Sequence, residues 1–346
     1  MGEQPEADSL TLLGRSILQV NPPRHAVMRA PIAAVFTPRR VAALRPAVER
    51  SVHRLLDALE HAGESGRPVD FMEQFAYGLP VGVISELLGV PEGDRHRFRS
   101  LSHDLTIAFE FASTISDLSP ADRAARELEA YFRALAAERR ARPRDDLVSA
   151  LVQLVDAQAG EAGEAAARMD DAELISNLVL LLVAGFETTT NLLGNGLALL
   201  FQHPGVRRAL ASGGLEASAF VDEVLRYDSP VQLTSRMALR EGASVEGIAV
   251  PLYGEVLLLL GAANRDPARF HQPERFDPWR ADNAPLSFGA GIHYCLGAML
   301  ARLEAAVAFP ALLARFPALA PAAELSPRRH DRLLLRGYAE LPVRTC

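Results

Sequence analysis

Along most of the chain, apolar residues recur three or four positions apart with charged residues between them, the period of an α-helix that buries one face. Ala121 to Arg142 is the clearest stretch, and the same pattern predicts helices over about Val41 to His61, Phe71 to Leu88, Asp94 to Ala112, Asp145 to Val155, Asp171 to Gln202, Glu216 to Tyr227 and Leu296 to Phe316. Turns at Val90-Pro91-Glu92-Gly93 and His203-Pro204-Gly205 punctuate them. Alternation of period two begins only after Pro230. Val231 to Leu239 alternates loosely, and Val245 to Val250 and Glu255 to Leu260 flank Pro251-Leu252-Tyr253-Gly254, which predicts a hairpin. Gly261 to Gly291 is rich in Pro, Asn, Asp and Gly, and Ala159 to Ala167 reads as a low-complexity mobile loop. The pattern gives a mainly α fold with a small β-sheet, in a single domain over residues 1–346.

Composition narrows the class. The chain has 346 residues, 49% of them hydrophobic and 23% charged, enough to bury a large core. The net charge of −7 and the scatter of the basic residues argue against a nucleic-acid partner, which needs clustered positive charge. Two cysteines, Cys295 and Cys346, are too few for a disulfide framework and suit a reducing compartment. The first residues, MGEQPEADSLTLLGRS, lack the pattern of a secretory signal or a membrane anchor. A cytoplasmic protein without a membrane partner is expected.

Candidate chemistry concentrates in Phe288-Gly289-Ala290-Gly291-Ile292-His293-Tyr294-Cys295-Leu296-Gly297, directly before a helical pattern. A helix start carries unpaired N–H groups and partial positive charge, so Cys295 is disposed toward the thiolate. Gly289, Gly291 and Gly297 admit backbone angles closed to other residues and let a flat ligand approach the main chain. A thiolate on haem iron pushes electron density toward the opposite face and favours O–O cleavage. Taken alone, Cys295 is equally a small buried hydrophobe, the commoner fate of a free cysteine. A nucleophilic Cys295 with His293 as base is a further reading, but two residues apart in a glycine-rich loop is poor geometry for such a pair.

The whole pattern, Phe-Gly-x-Gly-x-His-x-Cys-x-Gly, closely resembles the haem-binding signature of the cytochrome P-450 family, in its bacterial class. The resemblance implies haem b as cofactor, Cys295 as axial iron ligand, His293 at a haem propionate and Phe288 packed near the sulfur. Ala184-Gly185-Phe186-Glu187-Thr188 resembles the family's oxygen-binding motif, which implies a local distortion of the helix, room for dioxygen at Ala184 and Gly185, and an acid-alcohol pair, Glu187 and Thr188, that delivers protons. From the residues alone, the apolar run before Glu187 is too short for a membrane span. A buried carboxylate beside hydroxyls asks for a partner, and Thr188 has the ordinary alternative of bonding a carbonyl one turn back.

Further matches concern the frame. Glu223 and Arg226, three apart on one helix face, resemble the family's Glu-x-x-Arg pair, and Arg275 in Pro273-Glu274-Arg275-Phe276 is expected to complete that triad structurally. Arg236 matches the propionate-binding arginine. Asn21 to Arg29 resembles the bacterial Pro-Pro-x-His pattern, so His25 and Arg29 join the propionate set, although Pro31 predicts that this helix begins or kinks there. Substrate contacts are expected at Val231, Gln232 and Thr234, beside Ala184 and Thr188.

The resemblance runs from about Asn21 to the C-terminus, with fewer residues ahead of it than bacterial members carry. A naturally shortened form with an open pocket, a fold completed by a second chain and a misassigned start codon all fit, and a genuine truncation would leave sheet edges unpaired and favour a homodimer or a partner chain. The implied function is a monooxygenase that hydroxylates, epoxidises or couples a small organic substrate of secondary metabolism. Its electrons come from NAD(P)H through a ferredoxin and a ferredoxin reductase, because no flavin or iron-sulfur motif is present. The alternatives are a peroxide-driven enzyme, which the retained Glu187 and Thr188 disfavour, and a catalytically impaired haem-binding or partner-docking protein that acts only with a second chain.

Overall fold

A computed structural model describes residues 7–110, 115–160 and 168–345. Most of the expected mobile loop at Ala159 to Ala167, and Cys346, lie outside the described residues. In chain order the helices are α1 (Asp8–Gly14), α2 (Arg24–Val35), α3 (Pro38–Ala43), α4 (Arg45–Gly63), α5 (Gly78–Leu88), α6 (Arg95–Leu105), α7 (Ser119–Ala141), α8 (Leu147–Gly160), α9 (Asp171–Gln202), α10 (Pro204–Ala211), α11 (Ala217–Tyr227), α12 (Leu260–Ala263) and α13 (Ala298–Arg315). The strands are β1 (Val69–Asp70), β2 (Thr234–Met237), β3 (Ser244–Val245), β4 (Ile248–Ala249), β5 (Glu255–Leu258), β6 (Ala320–Pro321), β7 (Arg328–Arg329), β8 (Tyr338–Glu340) and β9 (Pro342–Arg344). A π-helical turn at Met72–Ala76 precedes α5.

The architecture is built around α9. Its N-terminus is a capping box: the Asp170 carboxylate accepts from Glu173 N–H, and the Glu173 carboxylate accepts from Asp170 N–H. Such a cap contributes about 1 kcal/mol. Arg24 of α2 donates to the same Glu173, which ties the start of α2 to the start of α9. Although α9 is long and apolar enough to cross a membrane, it lies inside this fold. Two apolar clusters form the core. One joins α4, α5, the C-terminal half of α9, α11 and α13; the other joins α1, α2, α6, α7, α8 and the N-terminal half of α9.

Two expectations fail on local grounds. The helix does not begin at Pro31, because α2 runs from Arg24 through it to Val35. The buried faces of Met28, Ile32 and Val35 outweigh the one missing N–H. Nor do Val245 to Val250 and Glu255 to Leu260 pair with each other. Val245 pairs with Ile248 across Glu246-Gly247, both in the left-handed region, while β5 pairs antiparallel with β2, Thr234 opposite Leu258. The two-residue turn satisfies the nearer partner first.

Candidate active site

The loop that carries Cys295 is held from below. Ser287 is buried and donates to the Leu225 carbonyl of α11 at 2.6 Å, while it accepts from Asn264 Nδ2 at 3.0 Å. The loop then folds on itself: Cys295 N–H donates to the Phe288 carbonyl at 3.0 Å, and Gly289 and Gly291 adopt φ of 69° and 68°. Those angles are strained for any side chain, so both glycines are required by backbone geometry. Gly297 is different, with φ −83° at the cap of α13, an angle open to any residue. A Cβ there would lie 3.9 Å from Cys295 Sγ, so this glycine leaves space beside the sulfur rather than providing an unusual turn. The Phe288 ring lies under the Arg302 guanidinium at 4.5 Å, and Arg302 is anchored to Asp222 at 2.8 Å.

The sulfur itself is exposed. Desolvation by the surrounding loop pushes its pKa up, against the lowering by Gly297 and Ala298 N–H groups and by Arg29 and Arg302. The helix-start N–H groups thus act in the direction expected from the sequence, toward the thiolate. A metal-bound thiol is deprotonated by the metal.

Four basic side chains gather beside this loop. The His25 and His293 rings meet edge to face at 4.4 Å. Arg29 donates to the Tyr294 carbonyl at 2.6 Å, and Arg236 on β2 donates to the Ser235 carbonyl at 2.6 Å. Arg236 and Arg29 act electrostatically on His293, whose pKa is lowered by burial first and then by His25 and these charges. His25 is lowered in the same way, by burial and then by Arg29. Among the described residues none of the four pairs with a carboxylate, and His25 Nε2 is buried without a hydrogen-bond partner. Two arginines without a carboxylate partner beside a buried, unsatisfied imidazole nitrogen ask for an anion, and the two propionates of haem b fit that demand.

On the other side, α9 is buried almost throughout but exposes Ala184. The Thr188 hydroxyl donates to the Ala184 carbonyl at 2.9 Å, the ordinary bond of a helical threonine. The α-helical assignment runs unbroken through this turn, from Asp171 to Gln202. The two small residues do not share one task. A Cβ on Gly185 would lie 3.1 Å from Ile84, so Gly185 serves the close approach of α5, and Ala184 alone faces the open side. Glu187 is only 3% exposed, with Oε1 3.3 Å from His103 Nδ1 on α6.

The remaining predicted positions divide. Glu223 and Arg226 form a fully buried bidentate pair at 2.7 and 2.8 Å. Arg275 does not complete it with its side chain, which is 66% exposed and turned toward Asp277; only its carbonyl accepts from Arg226, at 3.0 Å. The second cation near Glu223 is Arg280, at 3.7 Å and 10% exposed, because the loop presents its backbone at 275 and its side chain five residues later. Val231 bridges Leu335, and Thr234 on β2 is half-buried. The Gln232 amide donates to the Ser229 carbonyl at 2.6 Å and borders a cavity of about 370 Å³ that Leu259, His330, Arg332 and Arg336 also line. Sequence reasoning missed His103, Arg302 and Arg280. His103 is far from Glu187 in the chain, and no local spacing signals their contact.

Comparison with known proteins agrees with this geometry. The family model described as cytochrome P-450 matches residues 3–212 and 217–337. The monooxygenase PikC of Streptomyces venezuelae is 40% identical over 343 residues, covering 98% of this chain and 78% of that protein. The 6-deoxyerythronolide B hydroxylase of Saccharopolyspora erythraea is 41% identical over 330 residues, covering 94% of this chain and 76% of that protein. Among solved structures, the BioI cytochrome P-450 in complex with an acyl carrier protein ligated to hexadec-9Z-enoic acid superposes with a TM-score of 0.87 at 34% identity. That match covers 97% of this chain and 83% of the other. With the thiolate loop, the cationic cluster and the Glu-x-x-Arg pair in place, the chain belongs to the cytochrome P-450 family, as a haem b monooxygenase.

Proposed function

We propose that this enzyme inserts oxygen into a natural-product intermediate, with electrons from NAD(P)H delivered by a ferredoxin and its reductase to the thiolate-side surface of a cytoplasmic protein. The observation that carries the reading is Cys295, exposed at the start of α13 beside four basic groups that no carboxylate of the described residues neutralises. Bound there, haem b supplies dioxygen activation and O–O cleavage. Cys295 Sγ is the ligand to its iron. His25, Arg29, Arg236 and His293 hold its propionates. Glu187 keeps a carboxylate inside the fold close to the exposed turn at Ala184, and Thr188 Oγ1 donates its hydrogen to the Ala184 carbonyl while its lone pairs are free to accept a hydrogen bond. Val231, Gln232 and Thr234 border the substrate.

Support for the substrate class comes from one relative named as a 6-deoxyerythronolide B hydroxylase and from one solved with a fatty-acyl-loaded acyl carrier protein. Large apolar lactones and long acyl chains therefore lead the candidates, with hydroxylation as the default outcome. Incubation of haem-loaded enzyme with NADPH, surrogate redox partners and a panel of macrolactones and fatty acids tests this. A product heavier by one oxygen, formed only when NADPH is present, is expected. Haem binding with NADPH consumption and no oxidised product from any member would favour the impaired, partner-dependent reading.

A further inference from the structure

Glu187 is enclosed by three elements besides its own helix. His103 faces it from α6, and His330, from the connection between β7 and β8, and Tyr77, from the turn before α5, are coupled to it electrostatically. Arg99 caps the Tyr77 ring at 4.1 Å, and Arg328 and Arg332 act on His330. Glu187 Oε1 has no hydrogen-bond partner among the described residues, yet His103 Nδ1 stands 3.3 Å away, one small rotation from a bond.

The far side of that ring is defined as well. Arg332 NH2 lies 3.2 Å from His103 Nε2 and donates to the His103 carbonyl at 3.1 Å, while its other terminal nitrogen donates to the Thr106 hydroxyl. A guanidinium has donors only, so Nε2 is the acceptor and the ring hydrogen sits on Nδ1, toward Glu187. The His103 side chain is 41% exposed against 3% for Glu187, so the ring spans from solvent to the buried carboxylate. The His330 ring is 5.6 Å from it, and His330 and Arg332 line the cavity of about 370 Å³ beside β2.

We infer that His103 reprotonates Glu187 during turnover and that Arg332 sets which ring nitrogen holds the proton. This rests on the function proposed above. In the step, the Arg332 donor moves off Nε2, which takes a proton from hydronium and leaves water, so the ring becomes imidazolium. The Nδ1–H bond then breaks as an O–H bond forms at Glu187 Oε1, leaving a neutral ring with its hydrogen on Nε2. Nothing is oxidised or reduced, and the ring regains its starting tautomer by losing the Nε2 hydrogen to water and taking one up at Nδ1.

The test compares His103→Gln and Glu187→Gln with the parent. Histidine-selective nuclear magnetic resonance on the haem-free protein should show the His103 Nδ1 proton resonance displaced when Glu187 becomes Gln, because the carboxylate it faces is replaced by a neutral amide. With haem, surrogate redox partners and the panel member that perturbs the haem spectrum most, His103→Gln should keep haem content and the carbon monoxide spectrum. Its NADPH-driven oxygen consumption should fall about tenfold or more, with a larger rate ratio between H2O and D2O. A contact that only holds α6 against α9 would leave that ratio unchanged. An unmoved Nδ1 resonance, or a parent-like rate and isotope ratio in His103→Gln, overturns the inference while the haem-thiolate reading stands. A parent without the thiolate spectrum would fail that reading instead, and the resonance measurement would still decide the His103 contact.

Discussion

Arg226 is buried completely because each of its polar directions is answered: Glu223 on two nitrogens, and the carbonyls of Asn264, Pro273 and Arg275 on the rest. Removing one partner of a buried pair strands the other charge, so Arg226→Ala should cost about 3–5 kcal/mol in urea unfolding. Arg275→Ala, whose side chain is mostly in water, should change stability by no more than about 0.5 kcal/mol. Equal losses would restore Arg275 to the triad. The Glu-x-x-Arg spacing was legible in the sequence, but which later arginine turns inward was not, since the motif marks a backbone segment and the rotamers decide the rest. Glu304 of α13 makes a second case. It is 2% exposed, its Oε2 has no partner among the described residues, and burial raises its pKa well above the usual carboxylate value. For an acid raised in the fold, unfolding releases a proton between the ordinary and the raised pKa, so stability falls as pH rises through that window. Glu304→Gln should therefore stabilise the protein by about 1–3 kcal/mol near pH 8 and by little near pH 4, measured by denaturant unfolding at both.

Long helices were legible because their apolar faces repeat over many turns: α9 begins and ends where periodicity and the Asp170 cap place it. Strands of two to four residues carry too little pattern for that. The sheet of β1, β9 and β6 joins segments from opposite ends of the chain, and the β2 to β5 pairing was hidden by a hairpin that looked equally good from composition. Close packing between helices was equally hidden. Gly196 of α9 faces Phe309 of α13, where a Cβ would lie 2.3 Å from the ring. Gly196→Ala should cost about 1–3 kcal/mol through overpacking and lower haem retention, because α13 carries the thiolate loop. Thermal unfolding and haem content report both effects, and an unaltered melting temperature would show that the two helices have room to part.

Across the whole molecule, two apolar clusters meet along α9 and leave one exposed alanine in its middle, while the Cys295 loop is pinned to α11 through Ser287. The fold thus holds a soft ligand in the Cys295 loop and a buried acid next to a hydroxyl on α9, a donor set that suits a redox cofactor. The site residues came from short local patterns, chiefly Phe288 to Gly297, Ala184 to Thr188 and Asn21 to Arg29, whereas the His103 and Arg332 network comes from chain crossings that no sequence spacing reveals. The most direct measurement is the spectrum of the reduced, haem-loaded protein under carbon monoxide, taken for the parent and for Cys295→His. Thiolate ligation predicts a strongly red-shifted Soret band in the parent and its loss in the variant at equal haem content. A parent without that band, or a variant that keeps it, would contradict the assignment of Cys295 to the iron.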